Sequence, residues 1–250
     1  MLDCVLVLSG LDPCGGAGMA ADIETINQFG VTPLPIITTL TAQNTQQVGA
    51  VQAVDDQFIK KQLDMLTDDI QMNVVKIGLL SSAKQINTIA SWLNTNHWIV
   101  LDPIIKASTT DELLTQDSIQ ALKQELLPKV SLLTPNVAEL KALAPGLSEQ
   151  EAIASLPCEW VLLTTTDTSE QLIEHRLYHQ SKLFKCFSYH KLPGDYHGSG
   201  CTLSSAISAL IASKIEMHIA VKRALDYTYQ TLLNAKRIGK IQYHPNRITP

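Results

Sequence analysis

Several protein classes are excluded by what this sequence lacks. Its five cysteines, at 4, 14, 158, 186 and 201, are odd in number and contain no C-x-x-C pair. Structural disulfides and a cysteine-only metal site are therefore not expected, and a reducing, cytoplasmic setting is. None of the seven histidines falls in an H-E-x-x-H pattern. Positive charge is in deficit, 19 Lys and Arg against 24 Asp and Glu for a net charge of −5. That balance argues against nucleic acid or an anionic membrane surface as the main partner, and leaves room for a small phosphorylated ligand at a local basic site. No run is long and apolar enough to span a membrane. Met1-Leu2-Asp3-Cys4 carries an acid and no basic segment, so it does not read as a signal peptide. The loop Ser9–Gly18 is rich in glycine but is neither a P-loop nor a G-x-G-x-x-G turn.

What is present is a repeated alternation of short apolar runs with helical periods. The 250 residues, 45% of them hydrophobic, suit a single α/β domain over residues 1–250. Val5–Leu8, Leu34–Thr41, Val74–Gly78, Trp98–Leu101, Leu132–Thr134 and Trp160–Leu163 read as strands, with Pro35 placing the start of the second at an edge. Helical stripes lie between them. One passes through Ile119, Leu122 and Leu126 and stops at Pro128, and Ser148 with Glu151 has capping-box spacing. Leu172–Tyr189 alternates as a β-hairpin does. Such alternation predicts a three-layer α/β/α sandwich with a mostly parallel central sheet. Ligands gather at the carboxyl ends of strands in these sheets, and Asp12, Gln43, Asp102 and Asn136 each follow a predicted strand.

The stretch Gly194–Ile207 is the sharpest functional signal. Gly198, Ser199 and Gly200 run into a helix whose apolar residues Leu203, Ala206, Ile207, Leu210 and Ile211 lie on one face. Glycines let the backbone approach a ligand, and the helix start adds unpaired N–H groups and the positive end of its dipole, so an anion site is predicted here. The same field is expected to lower the pKa of the Cys201 thiol.

Ser9-Gly10-x-Asp12-Pro13-x-Gly15-Gly16-Ala17-Gly18 with Ala21-Asp22 resembles the amino-terminal signature of the hydroxymethylpyrimidine and phosphomethylpyrimidine kinases, a ribokinase-like family of thiamine biosynthesis. Thr41–Thr45, Lys76-Ile77-Gly78, Leu101-Asp102-Pro103, Thr134-Pro135-Asn136-x-x-Glu139 and His197–Leu203 continue the resemblance in order along nearly the whole chain. It implies transfer of the ATP γ-phosphoryl group to 4-amino-5-hydroxymethyl-2-methylpyrimidine and then to its monophosphate, with Mg²⁺ as cofactor and a homodimer as the assembly. It further implies Cys201 as general base, the Gly198–Gly200 backbone as anion hole, and Gln43, Asp22 and Gly10 on the substrate side. Gln43 offers both the donor and the acceptor that an aminopyrimidine edge needs. Asn136 and Glu139 match a motif that places Mg²⁺ and phosphate, with Glu139 on the metal side, usually through water. Pyridoxal kinases share the cysteine loop and form the alternative.

Two positions depart from the family pattern. Ser108 stands where a phosphate-facing lysine is common, and Thr164-Thr165-Thr166-Asp167 replaces Lys-Gly-Gly-His beside the nucleotide. Lys106, two residues away, is the candidate replacement for the first lysine, and Thr164 occupies the nucleotide position of the second. A third reading follows from these losses: a non-catalytic homologue that binds a pyrimidine.

Overall fold

The computed structural model describes residues 3–105, 114–167 and 171–248. Lys106 and Ser108 lie outside the described residues. A nine-stranded sheet organises the chain: β1 (Cys4–Leu11), β2 (Thr32–Gln43), β3 (Val48–Ala53), β4 (Val74–Ile77), β5 (Trp98–Leu101), β6 (Leu132–Leu133), β7 (Trp160–Asp167), β8 (Leu172–His179) and β9 (Lys182–His190). Its order is β3-β2-β1-β4-β5-β6-β7-β8-β9. The six strands from β2 to β7 pair in parallel, and antiparallel β3 and β8–β9 extend the two edges. This is the three-layer, mostly parallel architecture expected from the sequence.

Alternation along β1 divides the core into layers. Leu6 and Leu8 join Val75, Ile77, Ile99 and Leu101 against the face covered by α2 (Asp56–Asp69), α3 (Ala83–Trp92), α4 (Gln116–Ala121), α5 (Val137–Leu143) and α6 (Glu149–Ser155). Val5 and Val7 point the other way, toward α1 (Gly18–Gln28) and α7 (Ser199–Ala212). Val100, Leu132 and Leu162 pack on that same face against α7 and α8 (Met217–Leu233). Burial on both faces explains the continuous apolar runs.

Three local differences from the sequence reading have physical causes. β3 was not foreseen: its residues are mostly exposed, so it shows no apolar alternation, and the turn before it is held by Asn44 Oδ1 accepting the N–H groups of Gln46 and Gln47 at 2.8 and 3.0 Å. β3 joins β2 only from Thr39 onward, so Pro33 and Pro35 sit where β2 has one neighbour, as the missing N–H of proline requires. The helix expected through Leu126 is α-helical only to Ala121 and continues as a π turn over Leu122–Leu126 and a 3-10 turn over Leu127–Lys129, close to where Pro128 withdraws a donor. Finally, α7 does not bury a single face. Cys201 to Leu210 are all buried, and its serines tolerate this because Ser204 and Ser208 donate to the Gly200 and Ser204 carbonyls at 3.0 and 2.7 Å.

Candidate active site

The carboxyl ends of the parallel strands open into one cavity of about 970 Å³. Gly10 and Gln43 line one part of it, Gly198, Ser199, Gly200 and Cys201 another, and Asn136, Glu139 and Thr164 a third. Residues far apart in sequence meet here because successive parallel strands deliver their carboxyl ends to the same rim.

Asp12, at the end of β1, is the hub of the first part. Its carboxylate accepts the backbone N–H groups of Cys14, Gly16 and Ala17 at 2.8, 3.0 and 2.9 Å, folding the glycine loop around itself. His197 Nε2 lies 2.9 Å from the same carboxylate, and the Gln43 amide donates to it as well. Burial works to raise the Asp12 pKa, but these donors outweigh it and hold the carboxyl well below the usual carboxylate range. Nε2 of Gln43 and of His197 stand 3.3 Å apart. Gln43 is thus held at the cavity wall by the loop it faces.

The second part is the start of α7. Gly198 has φ +85° and caps the helix; a side chain there would collide with the Gly16 carbonyl, so only glycine lets the two loops touch. The first turn of α7 has no side-chain cap and no acidic residue, which leaves the orphan N–H groups of a helix start at the cavity.

Beneath that turn lies a buried charge cluster. Lys76 Nζ is 2.7 Å from Asp22 Oδ1, both side chains fully buried, and Ser205 Oγ donates to the same oxygen at 2.7 Å. Asp22 does not line the cavity. Its sequence-assigned place on the substrate side is corrected: it sits one layer below, as partner of Lys76. Asp102 is buried and lines the cavity, with its carboxylate 3.5 Å from where a Cβ on Gly200 would stand. Burial raises its pKa to about 6 against the opposing charge of Lys76.

Cys201 overturns one expectation. Its thiol is pushed up to about 12, chiefly by burial, with Lys76 and a hydrogen bond from the Gly18 N–H opposing and Asp102 and Asp22 reinforcing the rise. The helix field expected to lower this pKa loses to desolvation and to two nearby carboxylates.

In the third part, Asn136 and Glu139 form a complete capping box at the start of α5: Asn136 Oδ1 accepts the Glu139 N–H at 2.9 Å and Glu139 Oε2 accepts the Asn136 N–H at 2.8 Å. The Glu139 carboxyl also faces the cavity, and burial together with the charge of Asp102 raises it to about 8. Thr164 is tied to this corner, its N–H donating to the Pro135 carbonyl at 2.9 Å. Thr165 has φ +58°, in the left-handed region, at a register shift between β7 and β8. His175 Nδ1 accepts its N–H at 3.3 Å, and burial lowers the His175 pKa to about 4. His175 therefore stands beside Thr165 as a neutral imidazole. Among the described residues, the lysines lining the cavity are Lys141 and Lys191.

The sequence reading assigned no role to Lys76, His197 or Arg247. For the first, the signals were a lysine inside the otherwise apolar run Val74–Ile77 and its place in the Lys76-Ile77-Gly78 motif. The contacts of the other two depend on segments about two hundred residues away.

The phosphomethylpyrimidine kinase family model matches residues 12–246. The chain is 35% identical over 216 residues to the hydroxymethylpyrimidine/phosphomethylpyrimidine kinase of Salmonella typhimurium, covering 82% of this chain and 81% of that protein. It is 30% identical to a putative hydroxymethylpyrimidine/phosphomethylpyrimidine kinase 2 of Schizosaccharomyces pombe, where it spans 94% of this chain but 48% of the relative. Among solved structures it is similar to the phosphomethylpyrimidine kinase of Clostridium difficile, at TM-score 0.77 and 29% identity over 92% of this chain and 99% of that one. A pyridoxal kinase from Staphylococcus aureus shares the fold at TM-score 0.87 and 21% identity over 99% of this chain and 94% of that one. The order of motifs, the sheet, and the matched length agree: the chain belongs to the phosphomethylpyrimidine kinase family.

Proposed function

We propose that this protein transfers the γ-phosphoryl group of ATP to the hydroxymethyl group of 4-amino-5-hydroxymethyl-2-methylpyrimidine, and then phosphorylates the resulting monophosphate. The observation that carries this reading is one cavity in which the uncapped start of α7 lies between Gln43 on one side and the Asn136–Glu139–Thr164 corner on the other. Phosphoryl transfer asks a protein mainly to position its reactants and to stabilise spreading negative charge. The Gly198–Gly200 backbone is suited to the second task. Gln43, held by Asp12, is suited to reading the aminopyrimidine edge with its remaining donor and acceptor.

Cys201 is the candidate at the acceptor hydroxyl. Because burial keeps its thiol protonated at rest and the Asp102 carboxylate lies beside Gly200, the preceding residue, we infer a paired transfer: the alcohol proton moves to Sγ as the thiol proton moves to the Asp102 carboxylate. Asp22 and Lys76 act from below, Lys76 keeping the cluster from accumulating uncompensated negative charge. The donor set also fits Mg²⁺, which takes hard oxygen ligands and retains much of its water. Glu139 would hold it, through water. Burial raises the Glu139 carboxyl above its ordinary range, and the charge of Asp102 adds to the rise. Bound there, the ion supplies charge neutralisation for the phosphates.

Purified protein given ATP, Mg²⁺ and the hydroxymethylpyrimidine is expected to release ADP, and Cys201→Ala to lower turnover by about a hundredfold or more. Wild-type protein that binds the pyrimidine without turnover would replace this reading with that of a non-catalytic binding protein, for which the neutral His175 corner is the supporting observation. The ratio of kcat/KM for the pyrimidine and for pyridoxal decides between the two kinase readings.

A further inference from the structure

Residues 236–248 form a carboxyl-terminal strap over the two glycine loops. Tyr243 donates its N–H to the Asp195 carbonyl at 2.8 Å and accepts the His197 N–H at 2.9 Å. The strap thus pairs with the segment leading into α7. The Lys240 N–H donates to Thr45 Oγ1 at 3.1 Å, reaching the turn beyond Gln43.

Near the end of the strap, Arg247 is buried with 2% of its surface exposed. Nε donates to Thr202 Oγ1 at 2.9 Å, Nη1 to the Gly15 carbonyl at 3.4 Å and to Glu24 Oε2 at 3.1 Å, and Nη2 to the Gly16 carbonyl. Thr202 Oγ1 in turn donates to the Gly198 carbonyl at 2.8 Å. The contact between Gly16 and Gly198 is therefore held from both sides by one guanidinium: directly at Gly16, and through the Thr202 hydroxyl at Gly198. A planar fork with fixed donor directions suits this task, whereas a flexible ammonium does not. Glu24, half exposed, is the one carboxylate among these partners. The buried charge is otherwise spent on backbone carbonyls and a hydroxyl, which favours a geometric purpose over an ion pair. Arg247 also falls beyond the residues that the family model matches.

We propose that Arg247 is a positioning residue, fixing the spacing of the 12–18 and 194–200 loops and with it the geometry of the anion hole at the start of α7. Its kinetic consequence rests on the kinase reading; its effect on loop order does not.

The test compares the full chain with Arg247→Met and Arg247→Lys by hydrogen exchange and by steady-state kinetics. Arg247→Met is expected to speed amide exchange at 12–18 and 196–203 at least tenfold while β4 and β5 keep their protection. Its kcat is expected to fall about a hundredfold, the scale of a displacement near 1 Å at a reacting centre, with KM for ATP changed less than about threefold. Arg247→Lys keeps the charge without the fork, and should recover less than a tenth of wild-type kcat. Unchanged exchange in both loops, a kcat within about threefold for Arg247→Met, or wild-type kinetics for Arg247→Lys would each overturn the proposal. If Arg247→Met does not fold, Arg247→Lys decides by the same readouts. If wild-type protein shows no turnover, the kinase reading falls and the exchange data alone decide the role of Arg247.

Discussion

Replacing Lys76 with methionine isolates the buried cluster beneath α7. In the wild type, Lys76 Nζ lies 2.7 Å from Asp22 Oδ1 with neither side chain exposed. Among the described residues Asp22 Oδ2 has no hydrogen-bond partner, and Lys76 and the Ser205 hydroxyl, both on Oδ1, are the polar contacts of that carboxylate. Methionine matches the stem of lysine but leaves Asp22 buried with one neutral donor. Breaking a buried pair in this way costs about 3–5 kcal/mol, a large part of the roughly 5–15 kcal/mol by which domains are stable. For a chain of this size that lowers Tm by about 6–20 °C. The deficit is also pH-dependent. Asp102, already held at about 6 against the opposing charge of Lys76, loses that charge in the variant and binds its proton more tightly. The native state then holds more protons than the unfolded chain between the ordinary carboxylate range and the raised value, so stability falls as pH rises through that window. The gap between variant and wild type should thus widen from pH 5 to pH 8. Replacing both residues, Lys76→Met with Asp22→Leu, removes the stranded charge and should recover most of the loss. Urea unfolding at several pH values measures all of this. A single-variant cost below about 1 kcal/mol, or a double variant no more stable than Lys76→Met, would refute the account of the cluster.

Two further substitutions test the nucleotide-side corner. Thr165 is a β-branched residue at φ +58°, so Thr165→Gly should raise stability by about 1 kcal/mol in thermal unfolding; a neutral or negative change would mean that the left-handed backbone is not strained. Glu139→Gln preserves a side chain able to complete the capping box but removes a carboxyl raised to about 8. A raised carboxyl makes the wild type lose stability as pH climbs from about 4.5 to 8. The variant should therefore be more stable than wild type by about 1–3 kcal/mol at pH 8, and the two should converge near pH 4.5. Equal melting temperatures at pH 8 would show that Glu139 bears no such penalty.

The layers of the fold were legible because burial on both faces of a parallel sheet leaves continuous apolar runs, and Val5–Leu8 and Trp98–Leu101 are such runs. The rim was legible for the same topological reason, and Gln43, Asp102 and Asn136 do line one cavity. β3 was hidden because exposed residues carry no period. What could not be read was the electrostatic environment. A helix start predicts a lowered thiol pKa at Cys201, yet that prediction sees only local backbone. The opposing influences, burial and the charges of Asp22 and Asp102, arrive from β5 and α1 and exist only once α7 is packed on all sides. Asp22 illustrates the same limit: an acid in the second turn of α1 is consistent with solvent, substrate or a buried partner, and only the register of β4 places Lys76 against it.

The proton inventory of the site narrows how it can work. A thiol pushed up to about 12 is overwhelmingly protonated at pH 7, so preparing a free thiolate before reaction is costly. Asp102, raised to about 6, gives up its proton far more readily than that thiol. A mechanism that begins from free thiolate carries that whole burden, whereas one that passes the thiol proton to Asp102 as the alcohol proton arrives does not separate charge at Cys201 at all. On the proposed reading, the closeness of Asp102 to Gly200, the residue before Cys201, supplies the path. Burial, which defeats the simple activation of the cysteine, is on that same proposed reading what makes its proton useful: it keeps the thiol neutral until an acceptor hydroxyl at the start of α7 gives it a proton to exchange.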